Sequence, residues 1–207
     1  MKRNLITAAA GLMVALALPA QAADIVDEWA SVKAPPAPVL KEVKVDPKTT
    51  ALLMLDFMKQ NCGQRPRCLA TVPAMKKLLG DARAAKATVM YTFFGKTTAA
   101  DIVDPGLAPA AGEESVTSFA DKFLNTDLDK KLKDKGIATV IVVGTAANGA
   151  VLYTGSGAAL RGYNVIAPVD GISSLDTYSE QFGVWQLANG PTFGQKVTLT
   201  RSGMIKF

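Results

Sequence analysis

Asp56 closes the apolar run TALLMLDF, Thr50–Phe57. A carboxylate at the carboxyl end of a buried strand is costly unless it is paired or put to use. Two readings follow. It bonds backbone amides of the next loop, or it is a general acid or base whose pKa is raised by apolar surroundings. The two cysteines stand close together in NCGQRPRC, as Cys62 and Cys68. In an exported chain such a pair joins as a disulfide, which would rigidify the loop after the first strand. The alternative is a free nucleophilic thiol, with Arg65 and Arg67 as weak activators. The chain has no histidine. That excludes a Ser-His-Asp triad and a Cys-His dyad. It also leaves a zinc site with carboxylates or thiols alone, so no metal is expected.

A second candidate is the turn GTAANGAV, Gly144–Val151. It lies between a buried strand and a small-residue helix, where an α/β enzyme presents its reactive group. It contains no Cys, Ser, His, Asp, Glu or Lys. As a phosphate cradle it lacks the closing Lys-Ser/Thr. The nearby GSGAALRG, Gly155–Gly162, places Leu160 where a dinucleotide fingerprint needs glycine, and it falls inside the helix. No nucleotide cofactor is therefore expected. Gly155, Gly157, Ala158 and Ala159 instead suit close approach to the sheet or to a second subunit. The amides near Gly149 and Ala150 sit at a helix start and suit an anion or oxyanion.

The elements that must position these residues alternate. Strands are expected at Thr50–Phe57, Ala87–Phe94, Ala138–Gly144, Tyr163–Gly171 and Gln195–Ser202. Helices are expected at Val72–Lys86 with Pro73 in the first turn, then at Thr126–Gly136, Ala150–Arg161 and Asp176–Asn189. A long Ala/Pro/Gly-rich connection, Gly95–Ser118, serves a site or an interface. Continuous apolar strands alternating with helices predict a three-layer α/β/α domain around a mostly parallel sheet. Ligands bind such sheets beyond the strands' carboxyl ends. Four places then matter: Asp56–Phe57, Thr92–Phe94, Gly144–Ala150 and Asp170–Ser173.

The N-terminus carries Lys2 and Arg3, an apolar stretch from Leu5 to Leu18, and Ala20-Gln21-Ala22. These are the parts of a secretory signal cleaved after Ala22, and the stretch is short for a membrane anchor. Residues 23–49 read as an extended arm, with a short strand at Val39–Val45, and 50–207 as one domain. Without Lys2 and Arg3 the formal charge falls from +5 to +3. The remaining charges are scattered, and no basic-aromatic pattern points to nucleic acid. The expected partner is a small molecule and the expected location periplasmic or secreted, with no membrane span after cleavage.

The blocks TALLMLDF, SFADKFLNTDL, TVIVVGTAANGAVLYT and GYNVIAPVDGISS resemble, in order and spacing, those of the isochorismatase-like cysteine hydrolases. The resemblance covers about Thr50 to Met204. It implies a six-stranded parallel sheet and leaves a homo-oligomer open. It also implies three catalytic groups: an Asp after the first strand, a Lys before the F-x-x-T-x-L block, and a Cys opening the helix after the glycine turn. Asp56 matches the aspartate. Gly144, Asn148 and Val151 align the turn and put Ala150 at the cysteine position. The lysine position falls on Thr117 counting from Phe123, or on Ser118 counting from Gly112. Lys122 is the nearest cation, and it would need a changed backbone to serve. Phe57, Phe94, Asn148, Gly149 and Ala150 are the expected substrate contacts. Isochorismatases of this family cleave a vinyl ether with the Asp as acid and a small residue at the Cys position, an outline that Asp56 and Ala150 fit. The alternatives are a pseudoenzyme kept as a binding module, and chemistry at Cys62 or Cys68.

Overall fold

A computed structural model describes residues 22–207. Apart from Ala22, the expected signal lies outside the described residues. Among them no helix is long and apolar enough to cross a membrane. The chain divides at Ala37 into two units. In the first, the Asp24 carboxylate accepts from the amides of Val26 and Asp27, and a single turn of 3-10 helix follows at Trp29–Ser31.

The second unit, Pro38–Phe207, is built on parallel strands. The expected strand at Val39–Val45 is shorter, β1 (Val43–Lys44). The main strands are β2 (Thr50–Leu55), β3 (Thr88–Phe93), β4 (Glu114–Thr117), β5 (Thr139–Thr145), β6 (Asn164–Pro168), β7 (Ile172–Ser173) and β8 (Val197–Thr200). They form one sheet in the order β4-β3-β2-β5-β6-β8, with β7 also paired to β5. β1 pairs separately with the last strand, β9 (Ile205–Lys206). The helices are α1 (Pro66–Ala84), α2 (Leu128–Asp134), α3 (Leu152–Leu160) and α4 (Thr177–Asn189).

The sheet separates two cores. Leu52, Met54, Ile141 and Val143 pack with Met75, Leu78 and Leu79 of α1. Ala51, Leu53, Leu55, Val140 and Val142 pack on the opposite side with residues of α2, α3 and α4. This is the three-layer α/β/α arrangement, and the all-buried β2 is the two-faced strand its apolar run predicts. The chain runs β2, β3, β4 in one direction and then returns to place β5 on the other side of β2. The direction of strand order thus reverses between β2 and β5, and the crevice beyond their carboxyl ends is where such sheets bind ligands.

Three boundaries differ from the expectation. Helix α1 begins at Pro66, six residues before Val72, so Pro66 takes the first-turn place and Pro73 lies inside the helix. β4 falls within the stretch read as a connection. It is an edge strand with only Val116 buried, and so lacks the apolar run that marks the others. The helix expected from Ala150 starts instead as a wide turn, Ala147–Val151, kinked at Gly149 and continued by α3.

Candidate active site

The parallel register sets Leu55 beside Thr92 of β3 and Gly144 of β5. Gly144 has φ +138, and a Cβ there would lie 1.9 Å from the Leu55 carbonyl oxygen. Only glycine lets the two strand ends approach this closely.

Strand alternation would send Asp56 to the α1 side, because Leu55 faces the other core. Asp56 instead takes a left-handed backbone, φ +58. Aspartate tolerates that region better than most residues. The turn lets its carboxylate meet Thr92, which follows Met90 by two residues and shares the α3-side face. Thr92 Oγ1 donates to Asp56 Oδ1 at 2.9 Å, and Lys122 Nζ donates to Asp56 Oδ2 at 2.8 Å. Among the described residues no loop amide reaches Asp56, so the backbone-amide reading of this carboxylate does not hold.

Lys122 is wholly buried, and its position is held by the turn after β4. Ser118 Oγ donates to the carbonyls of Asp121 and Leu124 at 3.0 and 2.9 Å, folding residues 118–124 back on themselves. The Ser118 carbonyl in turn accepts from Lys122 Nζ at 3.1 Å. The Lys122 amide donates to Thr154 Oγ1 at 3.2 Å. Thr154 lies on α3, four residues after Ala150, so the helix that follows the alanine's turn also seats the lysine. The Ser118-centred turn is the backbone that brings Lys122 to Asp56.

Burial raises the Asp56 pKa by more than Lys122 and Thr92 lower it. Burial likewise lowers the Lys122 pKa against the pull of Asp56. Both shifts favour a pair that shares a proton easily, a useful property in an acid–base group.

The other expected contacts are placed as follows. Ala150 is buried in the α3-side core with Phe123 and Val151. The Gly149 amide donates to the Ala146 carbonyl at 3.0 Å. Asn148 is exposed, and its Oδ1 accepts from Ser174 Oγ at 2.9 Å. Phe57 is buried in the α1-side core, and Phe94 is half-buried against it. Cys62 and Cys68 are joined, which removes the free-thiol reading. Two arginines lie between them in the chain, one reaching the sheet and the other α4. Arg65 Nη1 donates to Thr145 Oγ1 at 3.0 Å. Arg67 forms a two-pronged pair with Glu180 of α4, and Glu180 also accepts from the Ser174 amide at 2.9 Å. Thr92 and Thr145 fall within the strand-end places that the sequence marks, though without a role assigned there. Sequence reasoning missed Ser174 and Glu180, of which Ser174 directly follows the marked stretch Asp170–Ser173.

A buried carboxylate–ammonium pair beside a glycine turn, at the switch point of a parallel sheet, has the form of an acid–base site in an α/β domain. The isochorismatase domain model matches residues 50–201, and the chain belongs to the isochorismatase family. No curated protein matches the chain. Solved structures do match. A cysteine hydrolase from Pseudomonas syringae shares 24% identity over 81% of this chain and 95% of its own, with a TM-score of 0.68. An isochorismatase from Pseudomonas putida shares 19% over 86% and 96%, with a TM-score of 0.67. N-carbamoylsarcosine amidase from Thermoplasma acidophilum shares 22% over 74% and 96%, with a TM-score of 0.63. At these identities the likeness is one of fold.

Proposed function

We propose that the protein is an exported hydrolase of the isochorismatase family that acts on a small molecule through Asp56, without a covalent enzyme intermediate. The observation that carries this reading is the 2.8 Å contact between Lys122 Nζ and Asp56 Oδ2 in a buried setting. A binding module has no need of a buried charge pair, which contributes little to stability for its cost. Ala150 supplies no nucleophile, so a thioester route is closed.

The chemistry that remains is acid catalysis. Asp56, its pKa raised by burial, gives its proton to the substrate. If the substrate is a vinyl ether, the proton goes to the enol-ether carbon and water adds to the resulting oxocarbenium carbon. The hemiketal then collapses to a ketone and an alcohol, and the proton lost from the water restores Asp56. Lys122 stabilises the carboxylate that stands between the two proton transfers. Export is supported by the pattern of residues 1–22 and by the disulfide, which persists in oxidising compartments.

Asp56→Asn keeps the shape and removes the proton donor. Turnover of vinyl ethers and small amides, screened on the purified chain, is expected to fall by at least about a hundredfold in this variant. Activity unchanged in Asp56→Asn would overturn the reading. The second reading, a binding module, is favoured by the buried methyl of Ala150 at the nucleophile position. It predicts ligands that raise the melting temperature by mass action but are recovered intact.

A further inference from the structure

The two arginines of the disulfide loop are used differently. Arg67 is neutralised by Glu180. Arg65 has no carboxylate within ion-pair distance among the described residues, and its guanidinium meets only the neutral hydroxyl of Thr145. A half-buried guanidinium without an anion forgoes the strong bidentate contact that its geometry suits.

The position of Arg65 is fixed. Its amide donates to the Cys62 carbonyl at 3.0 Å, it directly precedes α1, and the Cys62–Cys68 bridge closes the loop around it, with Cα atoms 5.1 Å apart. The hydroxyl it holds belongs to the last residue of β5. Leu55 is paired with Gly144, so Thr145 stands one strand over from Asp56, about 5 Å in backbone spacing. Arg65 therefore stands on the α1-side wall of the crevice whose opposite wall carries Asp56 and Lys122.

A second group on the Arg65 wall is unsatisfied. Ser173 is paired with Thr145 across β5 and β7, so the two side chains share a face. Ser173 Oγ is buried and has no hydrogen-bond partner. Buried hydroxyls without partners are few in folded proteins. The other acids of this edge are engaged: Glu180 by Arg67, Asp170 by Ser202, and Asp56 by Lys122. A cation bonded to Thr145 and an unpartnered hydroxyl on the residue paired with Thr145 suit an acceptor with more than one oxygen.

We infer that Arg65 is a specificity-determining residue that holds a carboxylate group of the substrate, with Ser173 on the same wall, so that the substrate class is a small organic anion. The inference rests on reading the β2–β5 edge as a small-molecule site, and it names the charge of what binds there. Thr145 is the resting partner of Arg65, exchanged for the carboxylate on binding. Arg67 and Glu180 tie the loop to α4 and keep Arg65 from turning outward.

The test is calorimetric titration of the full chain with two pairs of probes that differ in charge and little in shape: acetate against acetamide, and benzoate against benzamide. The wild type is expected to prefer the carboxylate of at least one pair by about tenfold or more. Arg65→Gln is expected to abolish that preference and to leave amide binding unchanged. Arg65→Lys, which keeps the charge but not the fork, is expected to retain part of it and serves where the glutamine variant is poorly folded. A wild type without the preference, or an Arg65→Gln or Arg65→Lys variant with the full preference, overturns the inference. Asp56→Asn is expected to keep the carboxylate preference. Loss of acid chemistry and loss of anion recognition are thereby read separately.

Discussion

The Asp56 corner and the Ala147–Val151 turn occupy the same edge of the sheet, and they have opposite constructions. At the corner every polar atom is engaged: Asp56 with Lys122 and Thr92, and Lys122 with Ser118 and Thr154. At the turn Ala150, the position that the resemblance aligns with the family's thiol, is a buried methyl among apolar neighbours. A nucleophile can be replaced by alanine at small cost, because a methyl in an apolar site leaves nothing unpaired. One half of a buried ion pair cannot be removed so cheaply, since the other half is left charged and desolvated. Asp56 and Lys122 are thus the groups whose separate loss strands a buried charge. The charge is required at a point in space, and a turn folded on Ser118 delivers it there.

Breaking the corner therefore gives the largest effect. Lys122→Met keeps the length of the buried stem and removes the cation. It is expected to cost about 3–5 kcal/mol at pH 8, measured by urea unfolding. The pH dependence has a definite sign. Without Lys122 only the Thr92 hydrogen bond opposes the burial that raises the Asp56 pKa, so folding retains a proton on Asp56. The stability this gives is complete below the ordinary value of 3.8 and is lost as pH rises through the folded-state pKa. The variant should accordingly lose less stability at pH 5 than at pH 8. Adding Asp56→Asn to Lys122→Met should recover most of the loss. Equal stability of single and double variants at pH 8 would show that the pair is not coupled.

This asymmetry also bears on what the sequence reveals. The central strands were legible because β2, β3 and β5 are buried on both faces and so are written as apolar runs. β4 was not legible, because an edge strand with one buried side chain has the composition of a loop. Asp56 was legible as a charge at the end of an apolar run. Its partner was ambiguous, because sequence spacing measures distance along the chain. Lys122 reaches Asp56 through a tight turn, and that turn depends on Ser118 hydroxyl and carbonyl contacts with no sequence period. The places of Thr92 and Thr145 were marked as strand ends, but their roles were hidden for a related reason. Threonine at a strand end is common, and its role follows from register across β2, β3 and β5, which a single sequence does not state. The start of α1 was misplaced because Pro73 resembles a first-turn proline, whereas Pro66 holds that place within the disulfide loop.

The turn is the other side of the comparison and should be forgiving. Ala150→Gly removes one buried methyl and adds backbone freedom next to the kink at Gly149. The cost is expected to be about 1–2 kcal/mol, combining the lost methyl and the weaker helix start. Turnover, where found, should stay within a few-fold of wild type, since the acid and its cation are untouched. A loss of activity as deep as that of Asp56→Asn would mean that the methyl itself shapes the reacting geometry, and the division between an essential corner and a permissive turn would fail.

An ion pair outside the site sharpens the point that burial, not pairing, sets the scale. Glu114 of β4 is held between Lys131 and Lys135 at 2.8 Å each, on the exposed edge of the sheet. Hydrogen bonds from the two lysines hold its pKa down, to about 2. A depressed carboxylate contributes stability above its ordinary value of 4.5 and loses it as pH falls through about 2. Solvent screens this pair, so Glu114→Gln is expected to cost less than about 1 kcal/mol at neutral pH. Its signature is a flatter acid limb, with variant and wild type converging between pH 4.5 and about 2. Raising salt should shrink the difference at neutral pH, because exposed charges are screened, while leaving the Lys122→Met deficit nearly unchanged. If both variants respond to salt alike, the corner is open to solvent and Asp56 lacks the burial that raises its pKa.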